Sequence, residues 1–228
     1  MKSIGLLGGM SWESSIEYYR LTNGGIKAKL GWLHSAKSVM VSVDFAEVEI
    51  LQHEGKWAEA AGMLFEAAKN LETGDADFIV LCTNTMHKVA DDIQANIEIP
   101  FLHIADATAQ RVRDSGIQKI GLLGTRFTMG EEFYKGRLSQ EYGLDVRVPD
   151  IQERELIHRV IYDELVLGRI EPRSRAQYLE IIEQMVSQGA EGVILGCTEI
   201  GSLVHQEDSP FPYLIRQGST RKQQSNPH

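Results

Sequence analysis

Two short polar loops, one in each half of the chain, carry the residues best suited to chemistry. The first loop follows the apolar run 79–81 and contains Thr83, and the second follows the apolar run 193–195 and contains Cys197. When the two runs are aligned, Thr83 and Cys197 occupy equivalent positions, 197 − 83 = 114 residues apart. A thiol and a hydroxyl can both transfer protons in enzyme sites. The pair therefore predicts a site that acts on two sides of one substrate.

A second repeat indicates that the chain consists of two related halves. The sequence IGLLGG at 4–9 returns as IGLLGT at 120–125, an offset of 120 − 4 = 116 residues. Two motifs that recur in the same order at nearly the same separation favour duplication over chance. The period is far longer than that of a solenoid repeat. We therefore expect two lobes of similar fold.

Short apolar segments alternate with amphipathic segments along the chain. The segments predicted as strands are 3–7, 38–43, 78–81, 101–103, 119–123, 144–147 and 192–195. The segments predicted as helices are 12–30, 57–72, 86–96, 105–115, 131–140, 152–167 and 173–188. This alternation is typical of βαβ units. We predict an α/β fold with two pseudo-symmetric Rossmann-like lobes, each a mostly parallel sheet flanked by helices, and an active site between them.

The lobe boundary is predicted next to Pro100, because proline there starts a new strand. The first lobe then covers 1–99 together with about 203–215, and the second covers 100–202. The polar segment 216–228 lacks apolar periodicity and is predicted to be disordered. Ligands of open α/β sheets bind beyond the carboxyl ends of the strands, where the loops 8–14, 83–85, 124–128 and 197–199 are expected.

Composition limits the function classes. The chain has 228 residues and a formal net charge of −9, which argues against a general nucleic-acid binder. No apolar run approaches the length of a membrane span, and the N-terminus does not resemble a secretory signal. The 2 cysteines show no disulfide framework. These features predict a cytoplasmic protein that binds neither nucleic acid nor membrane.

The residue types around the two loops suggest distinct roles. Cys197 lies between a strand and a helix, where a thiolate is favoured and can act as a base. Thr83 can donate a proton but abstracts one poorly without an activating base. Cys82 aligns with Gly196 and is interpreted as a packing residue, because neighbours on a strand point to opposite sides. His87 is interpreted as a capping or packing residue rather than a base.

The remaining motifs favour a small substrate and no cofactor. Gly5, Gly8 and Gly9 do not match the dinucleotide fingerprint, and no Walker lysine follows them. No spacing of histidine, cysteine and aspartate suggests a metal site. We therefore predict neither a metal nor a cofactor.

Several motifs together resemble the aspartate/glutamate racemase family. They are Gly-Gly-Met-Ser at 8–11, Thr-Asn-Thr at 83–85 and Gly-Cys-Thr-Glu at 196–199, with Asp-Phe at 44–45 and Phe-Leu-His-Ile at 101–104. The resemblance covers roughly residues 1–212. It implies a homodimeric, cofactor-independent racemase that removes the Cα proton of an amino acid on one face and returns a proton on the other. The substrate-binding residues it implies are Met10, Gln52, Asn84, Thr85, Thr125, Thr198 and Glu199.

Two departures from the family pattern bear on mechanism and specificity. Most family members carry cysteine where this chain has Thr83, so we hypothesise that Cys197 abstracts a proton from the L-enantiomer and Thr83 returns one. Gln52 takes the place of an arginine that binds the distal carboxylate in aspartate-selective relatives, and no lysine lies near Glu164. A polar, uncharged pocket predicts a broader range that includes neutral amino acids such as homoserine.

Two other functions remain open on the sequence alone. Single-cysteine relatives in the wider superfamily decarboxylate arylmalonates or isomerise maleate, and Cys197 alone would suffice for such a reaction. A protein that binds an amino acid without turnover is the second alternative, because replacement of one thiol is also what loss of catalysis would leave. Exchange at Cα distinguishes a racemase from a binder.

Overall fold

Two parallel sheets form the framework of the structure, which is a computed structural model that describes residues 1–208 and the backbone of Leu214–Arg216. The first sheet has the strand order β2-β1-β3-β4, with β1 at Ile4–Gly8, β2 at Ser38–Ser42, β3 at Phe78–Leu81 and β4 at Phe101–Leu102. The second has the order β6-β5-β7-β8, with β5 at Lys119–Gly124, β6 at Asp145–Arg147, β7 at Gly192–Gly196 and β8 at Leu214–Arg216. The same order in both sheets agrees with the duplication inferred from the sequence.

Helices connect the strands and cover the sheets. They are α1 (Trp12–Leu30), α2 (Phe45–His53), α3 (Trp57–Thr73), α4 (Ala90–Gln94), α5 (Ile104–Asp114), α6 (Arg126–Gly130), α7 (Lys135–Gln140), α8 (Ile151–Asp163), α9 (Pro172–Ser187) and α10 (Ile200–Leu203). Short 3₁₀ helices occupy Thr85–Val89, Leu165–Leu167 and Gln206–Asp208. Within the described residues, no helix combines the length and the apolar character that crossing a membrane requires. The architecture is the predicted α/β fold.

The central strands are apolar because helices cover both faces of each sheet. Every residue of β7 is buried, and so is every residue of β5 after Lys119. β5 lies between β6 and β7, as β1 lies between β2 and β3. Parallel pairing in one register brings the carboxyl ends of β1 and β3 to the same edge of the first sheet, and those of β5 and β7 to the same edge of the second. The polar loops that follow these strands therefore begin side by side at one edge of each sheet.

The apolar core has two parts, and the larger part receives side chains from both halves of the chain. Leu64 and Leu81 lie in the first part and are fully buried. Leu6, Tyr18 and Cys82 come from the first half of the sequence but pack in the larger part of the core, around β5 and β7. Each fully buried large apolar side chain stabilises the fold by roughly 1.5–3 kcal/mol. Shared packing of this kind holds the two sheets together near the polar loops.

Strand pairing differs from the predicted lobe limits at two places. Phe101 pairs with Ile79, so the first sheet extends to Leu102, beyond the predicted boundary at 99. Leu214 pairs with Val193, so β8 extends the second sheet, although about 203–215 was assigned to the first lobe. Each strand satisfies edge N–H and C=O groups that burial would otherwise leave unpaired. The predicted disordered tail, 216–228, lies outside the described residues except for the backbone of Arg216.

Candidate active site

A narrow cavity of about 30 Å³, here called the central cavity, lies where loops from both sheets meet. All nine residues predicted for the site line it, namely Met10, Gln52, Thr83, Asn84, Thr85, Thr125, Cys197, Thr198 and Glu199. The other described lining residues are Ser11, Ser14, Phe45, Ile161, Tyr162, Val166 and Gly196. The volume is enough for roughly two water molecules. Residues that are distant in the sequence therefore converge on one small space.

Cys197 forms a part-buried polar pair with Glu199. The thiol Sγ donates a hydrogen bond of 2.9 Å to Glu199 Oε2, and Ser11 Oγ donates one of 2.6 Å to Glu199 Oε1. Glu199 is 9% exposed. Burial, followed by the nearby carboxylate of Glu199, raises the pKa of the Cys197 thiol well above its ordinary value. The thiol therefore keeps its proton in the resting protein and directs it toward Glu199.

Glycine positions the Cys197 loop against the neighbouring strand. A Cβ at Gly196 would lie 2.7 Å from the carbonyl oxygen of Leu123 and 3.0 Å from the side chain of Leu122. Only glycine allows β7 to end this close to β5. On the facing loop, Ser11 caps α1 by accepting a 3.3 Å hydrogen bond from the amide of Ser14. The cap places the Ser11 hydroxyl at the helix N-terminus, where it also reaches Glu199.

Thr83 is held by a buried histidine. His87 Nδ1 lies 2.8 Å from the backbone oxygen of Thr83, and His87 Nε2 accepts a 3.1 Å hydrogen bond from the amide of Ile104. A ring with Nε2 as acceptor is neutral and carries its proton on Nδ1, so Nδ1 donates to Thr83. Burial, with a smaller effect of His103, lowers the pKa of His87 well below its ordinary value. His87 therefore positions the loop, in agreement with its interpretation as a packing residue.

The two cysteines have different surroundings. Cys82 is fully buried and packs in the larger part of the core. Burial raises the pKa of its thiol to about 12. Cys82 is absent from the described lining of the central cavity, whereas Cys197 belongs to it. The interpretation of Cys82 as a packing residue is confirmed.

Side-chain hydrogen bonds join the two lobes around the cavity. Ser14 Oγ lies 3.0 Å from Thr198 Oγ1. Thr85 Oγ1 lies 3.0 Å from Thr125 Oγ1, and either hydroxyl can be the donor. These bonds connect residues that follow β1 and β3 of the first sheet to residues that follow β7 and β5 of the second. Hydroxyl pairs of this kind fix the loops while leaving donors that a bound carboxylate can recruit.

One wall of the cavity is polar but uncharged. Tyr162 OH donates a 3.0 Å hydrogen bond to Gln52 Oε1, and Gln52 Nε2 lies 2.9 Å from Met86 Sδ. The ring of Phe45 stacks on Tyr162 with 6.5 Å between centroids. Burial raises the pKa of Tyr162, so its hydroxyl stays neutral. Among the described residues that line the cavity, none is a lysine, arginine or histidine.

Asn84 contributes an acceptor with no partner. Its side chain is 4% exposed, and Oδ1 accepts no hydrogen bond from any residue that the structure describes. A buried acceptor without a partner costs about 1–3 kcal/mol. Since Asn84 lines the central cavity, a ligand with an N–H donor would remove this cost.

Sequence reasoning missed the roles of Ser14 and Tyr162. The spacing of Ser11 and Ser14 at the start of α1 is a capping signal, and it also predicts two hydroxyls at the cavity. Tyr162 had no such signal, because its partner Gln52 is 110 residues away. Within residues 1–208, no three histidine, cysteine or acidic side chains lie together in a group that could bind a metal ion.

The fold and the cavity define a two-lobed α/β protein with a thiol and a hydroxyl at equivalent strand ends. Comparison with known proteins identifies its family. The model of the Asp/Glu/Hydantoin racemase family matches residues 7–214, and the chain belongs to this family.

Individual relatives agree with this assignment. A crystal structure of a candidate Asp/Glu racemase from Yersinia pestis is 53% identical, with a TM-score of 0.87 and coverage of 94% of both chains. An aspartate racemase homologue from Pyrococcus horikoshii OT3 is 34% identical, with a TM-score of 0.80 and coverage of 94% of this chain and 93% of that chain. The broad specificity amino-acid racemase RacX of Bacillus subtilis (strain 168) is 25% identical over 158 residues, which are 66% of this chain and 64% of RacX.

Proposed function

We propose that the protein is an amino-acid racemase that inverts Cα by two proton transfers, with Cys197 and Thr83 as the proton carriers. One observation supports this above all others. Side chains able to carry a proton follow β3 and β7, at equivalent positions of two repeated sheets, and line one narrow cavity. A substrate held between two lobes presents opposite faces to residues from each of them.

Glu199 completes the chemistry on the Cys197 side. The thiol already donates to the carboxylate at 2.9 Å, so proton transfer to Glu199 produces a thiolate without rearrangement of heavy atoms. The thiolate then takes the Cα proton, which forms an S–H bond and leaves the electron pair on the substrate. Thr83 donates its proton to the opposite face of Cα and regains one from water, and Glu199 releases to water the proton that it took from the resting thiol. One proton leaves the substrate and one returns, so the reaction is balanced.

The binding groups of an amino acid have partners around the cavity. Negative charge that develops on the substrate carboxylate requires donors, and the hydroxyls of Thr85, Thr125 and Thr198 are available for it. The ammonium group requires acceptors, and Asn84 Oδ1 has no other partner among the described residues. The hydrogen bonds from the hydroxyls to the carboxylate strengthen as the carbanion forms, because its charge spreads onto the carboxylate.

Specificity is proposed to extend to neutral amino acids. The described cavity lining contains no cationic side chain, and Gln52 and Tyr162 form its polar wall. A distal hydroxyl or amide can replace the hydrogen bond between these two residues, whereas a distal carboxylate finds no opposite charge there. RacX, a relative named for broad specificity, lends support to this proposal.

An outer cavity suggests the route of substrate entry. It has a volume of about 290 Å³ and shares Gln52 and Tyr162 with the central cavity. Because the central cavity holds only about two waters, binding must widen it. We propose that the hydrogen bond between Gln52 and Tyr162 opens on entry. Arg126 and Arg159 line the outer cavity together with Glu49 and Asp163, so both charged groups of an amino acid meet opposite charges there.

Further properties are proposed on the family resemblance. They are catalysis without pyridoxal phosphate or a metal, a homodimer, and a cytoplasmic location. Both cysteines are free thiols, which a reducing compartment would maintain. Sedimentation equilibrium of the purified protein measures the oligomeric state, and a monomer at all concentrations would contradict the homodimer.

The decisive experiment is incubation with a panel of L-amino acids in deuterated water. Chiral chromatography and mass spectrometry then report inversion and Cα deuteration separately. We expect D-enantiomers carrying deuterium at Cα from at least one neutral and one acidic amino acid. Binding without any Cα exchange across the panel would contradict the proposed activity and favour a binding protein.

A further inference from the structure

The Cys197 loop borders a second, wider cavity. This rear cavity has a volume of about 460 Å³ and lies between the start of α1 and α10. Four residues line both the rear and the central cavity, namely Ser14, Cys197, Thr198 and Glu199. The two cavities therefore meet at the loop that carries the thiol, and Cys197 can be approached from both.

Glu199 lies at the junction of the two cavities. It accepts the thiol proton on Oε2 and the Ser11 proton on Oε1, so both carboxylate oxygens are engaged on the central side. Its side chain also lines the rear cavity. A carboxylate in this position can receive a proton from sulfur and release it to water on the other side.

The rear cavity has polar groups suited to a chain of water molecules. Glu13, Glu17, Ser202 and His205 line it together with Glu199. Glu13 Oε2 is buried and has no hydrogen-bond partner among the described residues. Such an acceptor is satisfied by water when the site is polar and roomy, and a volume of about 460 Å³ meets that condition.

The described residues give Thr83 no contact with the rear cavity. Thr83 lines the central cavity but is absent from the described lining of the rear cavity. Its loop has Thr85 where the Cys197 loop has Glu199. Of the two proton carriers, Cys197 alone borders the rear cavity as lined by the described residues.

We propose that the proton taken up by Cys197 exchanges with solvent through Glu199 and the rear cavity while the substrate still occupies the central cavity. The proposal rests on the role of Cys197 given above and extends it. In this route Glu199 first releases to rear-cavity water the proton that it took from the resting thiol. The S–H bond formed with the Cα proton then breaks as an O–H bond forms on Glu199, and Glu199 passes this proton to the same water. A solvent proton returns by the same steps, so no other reactant is needed. Glu199 acts as a relay between sulfur and solvent.

Two substitutions separate the routes to Cys197. Ser202→Trp places a large side chain in the rear cavity, because Ser202 is exposed, lines that cavity and is absent from the described lining of the central one. Val166→Phe fills the central cavity instead. Ser187→Trp, at the exposed end of α9, is the matched control for the tryptophan. Thermal melting verifies that each variant is folded.

Alkylation by iodoacetamide tests access without requiring activity. The only other cysteine, Cys82, is fully buried with a pKa of about 12, so the reaction at Cys197 is measured alone by intact-mass spectrometry. We expect Ser202→Trp to slow alkylation at least tenfold, and Val166→Phe and Ser187→Trp to change it less than twofold. Slowing by Val166→Phe with no effect of Ser202→Trp would overturn the proposal.

Deuterium partitioning tests the proton route itself. In deuterated water at low conversion, exchange at Cys197 puts deuterium into the recovered L-substrate as well as the D-product. We expect Ser202→Trp to lower the ratio of deuterium in recovered substrate to deuterium in product at least threefold, and Ser187→Trp to leave it unchanged. An unchanged ratio in Ser202→Trp overturns the proposal even if alkylation slows. Absence of all Cα exchange in the wild type would instead refute the proposed racemase activity.

Discussion

The Cys197 loop and the Thr83 loop follow equivalent strands but differ in the groups that surround them. Cys197 donates to a carboxylate and borders a wide rear cavity. Thr83 is fixed through its backbone by the neutral ring of His87. Duplication therefore supplied two similar backbones, and local side chains made them chemically unequal. In the proposed mechanism, the Cys197 loop removes a proton and the Thr83 loop delivers one.

Removal of the Cys197 thiol should have the largest effect on the rate of racemisation. Cys197→Ala leaves no group that can abstract the proton of the L-enantiomer, and loss of a general base typically costs 10²–10⁴-fold. We expect racemisation to fall by at least about 10³-fold, within that range. Steady-state rates from chiral chromatography measure it. Cys82→Ala is the matched control, and its activity should stay within about threefold of the wild type; equal losses in both variants would contradict the assignment.

Glu199→Gln should lower activity by about 10²-fold, because an amide cannot accept the thiol proton. The carboxylate also raises the pKa of Cys197, so its removal should lower that pKa. The pH profile of iodoacetamide alkylation should therefore shift to lower pH even as racemisation declines. An unshifted profile would contradict the contact between the Glu199 carboxylate and the thiol.

Substitution of Thr83 by cysteine should make the two loops more alike. A thiol opposite Cys197 abstracts a proton from the D-enantiomer better than a hydroxyl does. Exchange that starts from the D-enantiomer should rise about tenfold, a magnitude in keeping with general-base effects.

Thr83→Ala should retain exchange of the L-enantiomer without inversion. Full racemisation by Thr83→Ala would contradict the role of Thr83, while unchanged turnover of a malonate-type substrate would favour a decarboxylase.

His87, which holds the Thr83 loop, should show a smaller effect, in the free energy of unfolding. Burial holds the pKa of folded His87 below that of the unfolded chain, so the unfolded state binds more protons below about pH 6.5. Stability due to neutral His87 is present above pH 6.5 and is lost as the pH falls toward the folded pKa. Between pH 7 and pH 5 this loss is up to about 2 kcal/mol.

His87→Gln tests this linkage by urea unfolding at the two pH values. The variant should be less stable at pH 7, because two hydrogen bonds change, but its stability should depend less on pH. His34→Gln, at an exposed loop position, is the control and should leave the pH dependence unaltered. A steeper dependence in His87→Gln would contradict the buried neutral ring.

The sequence predicted the parts of the fold that depend on local periodicity. The helix at 12–30 and the strand at 78–81 have the predicted bounds, because capping and apolar patterns mark their ends. The prediction of one helix over 131–140 was wrong at its start, since α7 begins at Lys135. Glu131 and Glu132 suit a first helical turn, but Glu131 is extended after α6. Local preference was overridden there by packing between two short helices.

Tertiary contacts explain what the sequence did not predict. Helix α2 was missed although Asp44 caps it by accepting from the Ala46 amide at 3.0 Å. The helix matters because it carries Gln52 to Tyr162 of the other lobe. No local pattern specifies that meeting. Thr83 and Cys197 were expected at one cavity because they lie at repeated strand ends, where topology fixes position. Gln52 was named only through the family resemblance, and its contact across the lobes depends on how the lobes pack.

The inequality of the two proton carriers is tested most directly by exchange without inversion. The equilibrium constant between enantiomers is one, so kcat/KM for net inversion is the same in both directions and cannot report the inequality. The deuterium content of the recovered substrate at low conversion does report the inequality, because it measures how often a proton is removed from the face at which the reaction started. We predict faster incorporation when the wild-type protein starts from the L-enantiomer than from the D-enantiomer. Equal rates, or faster incorporation from the D-enantiomer, would contradict the account.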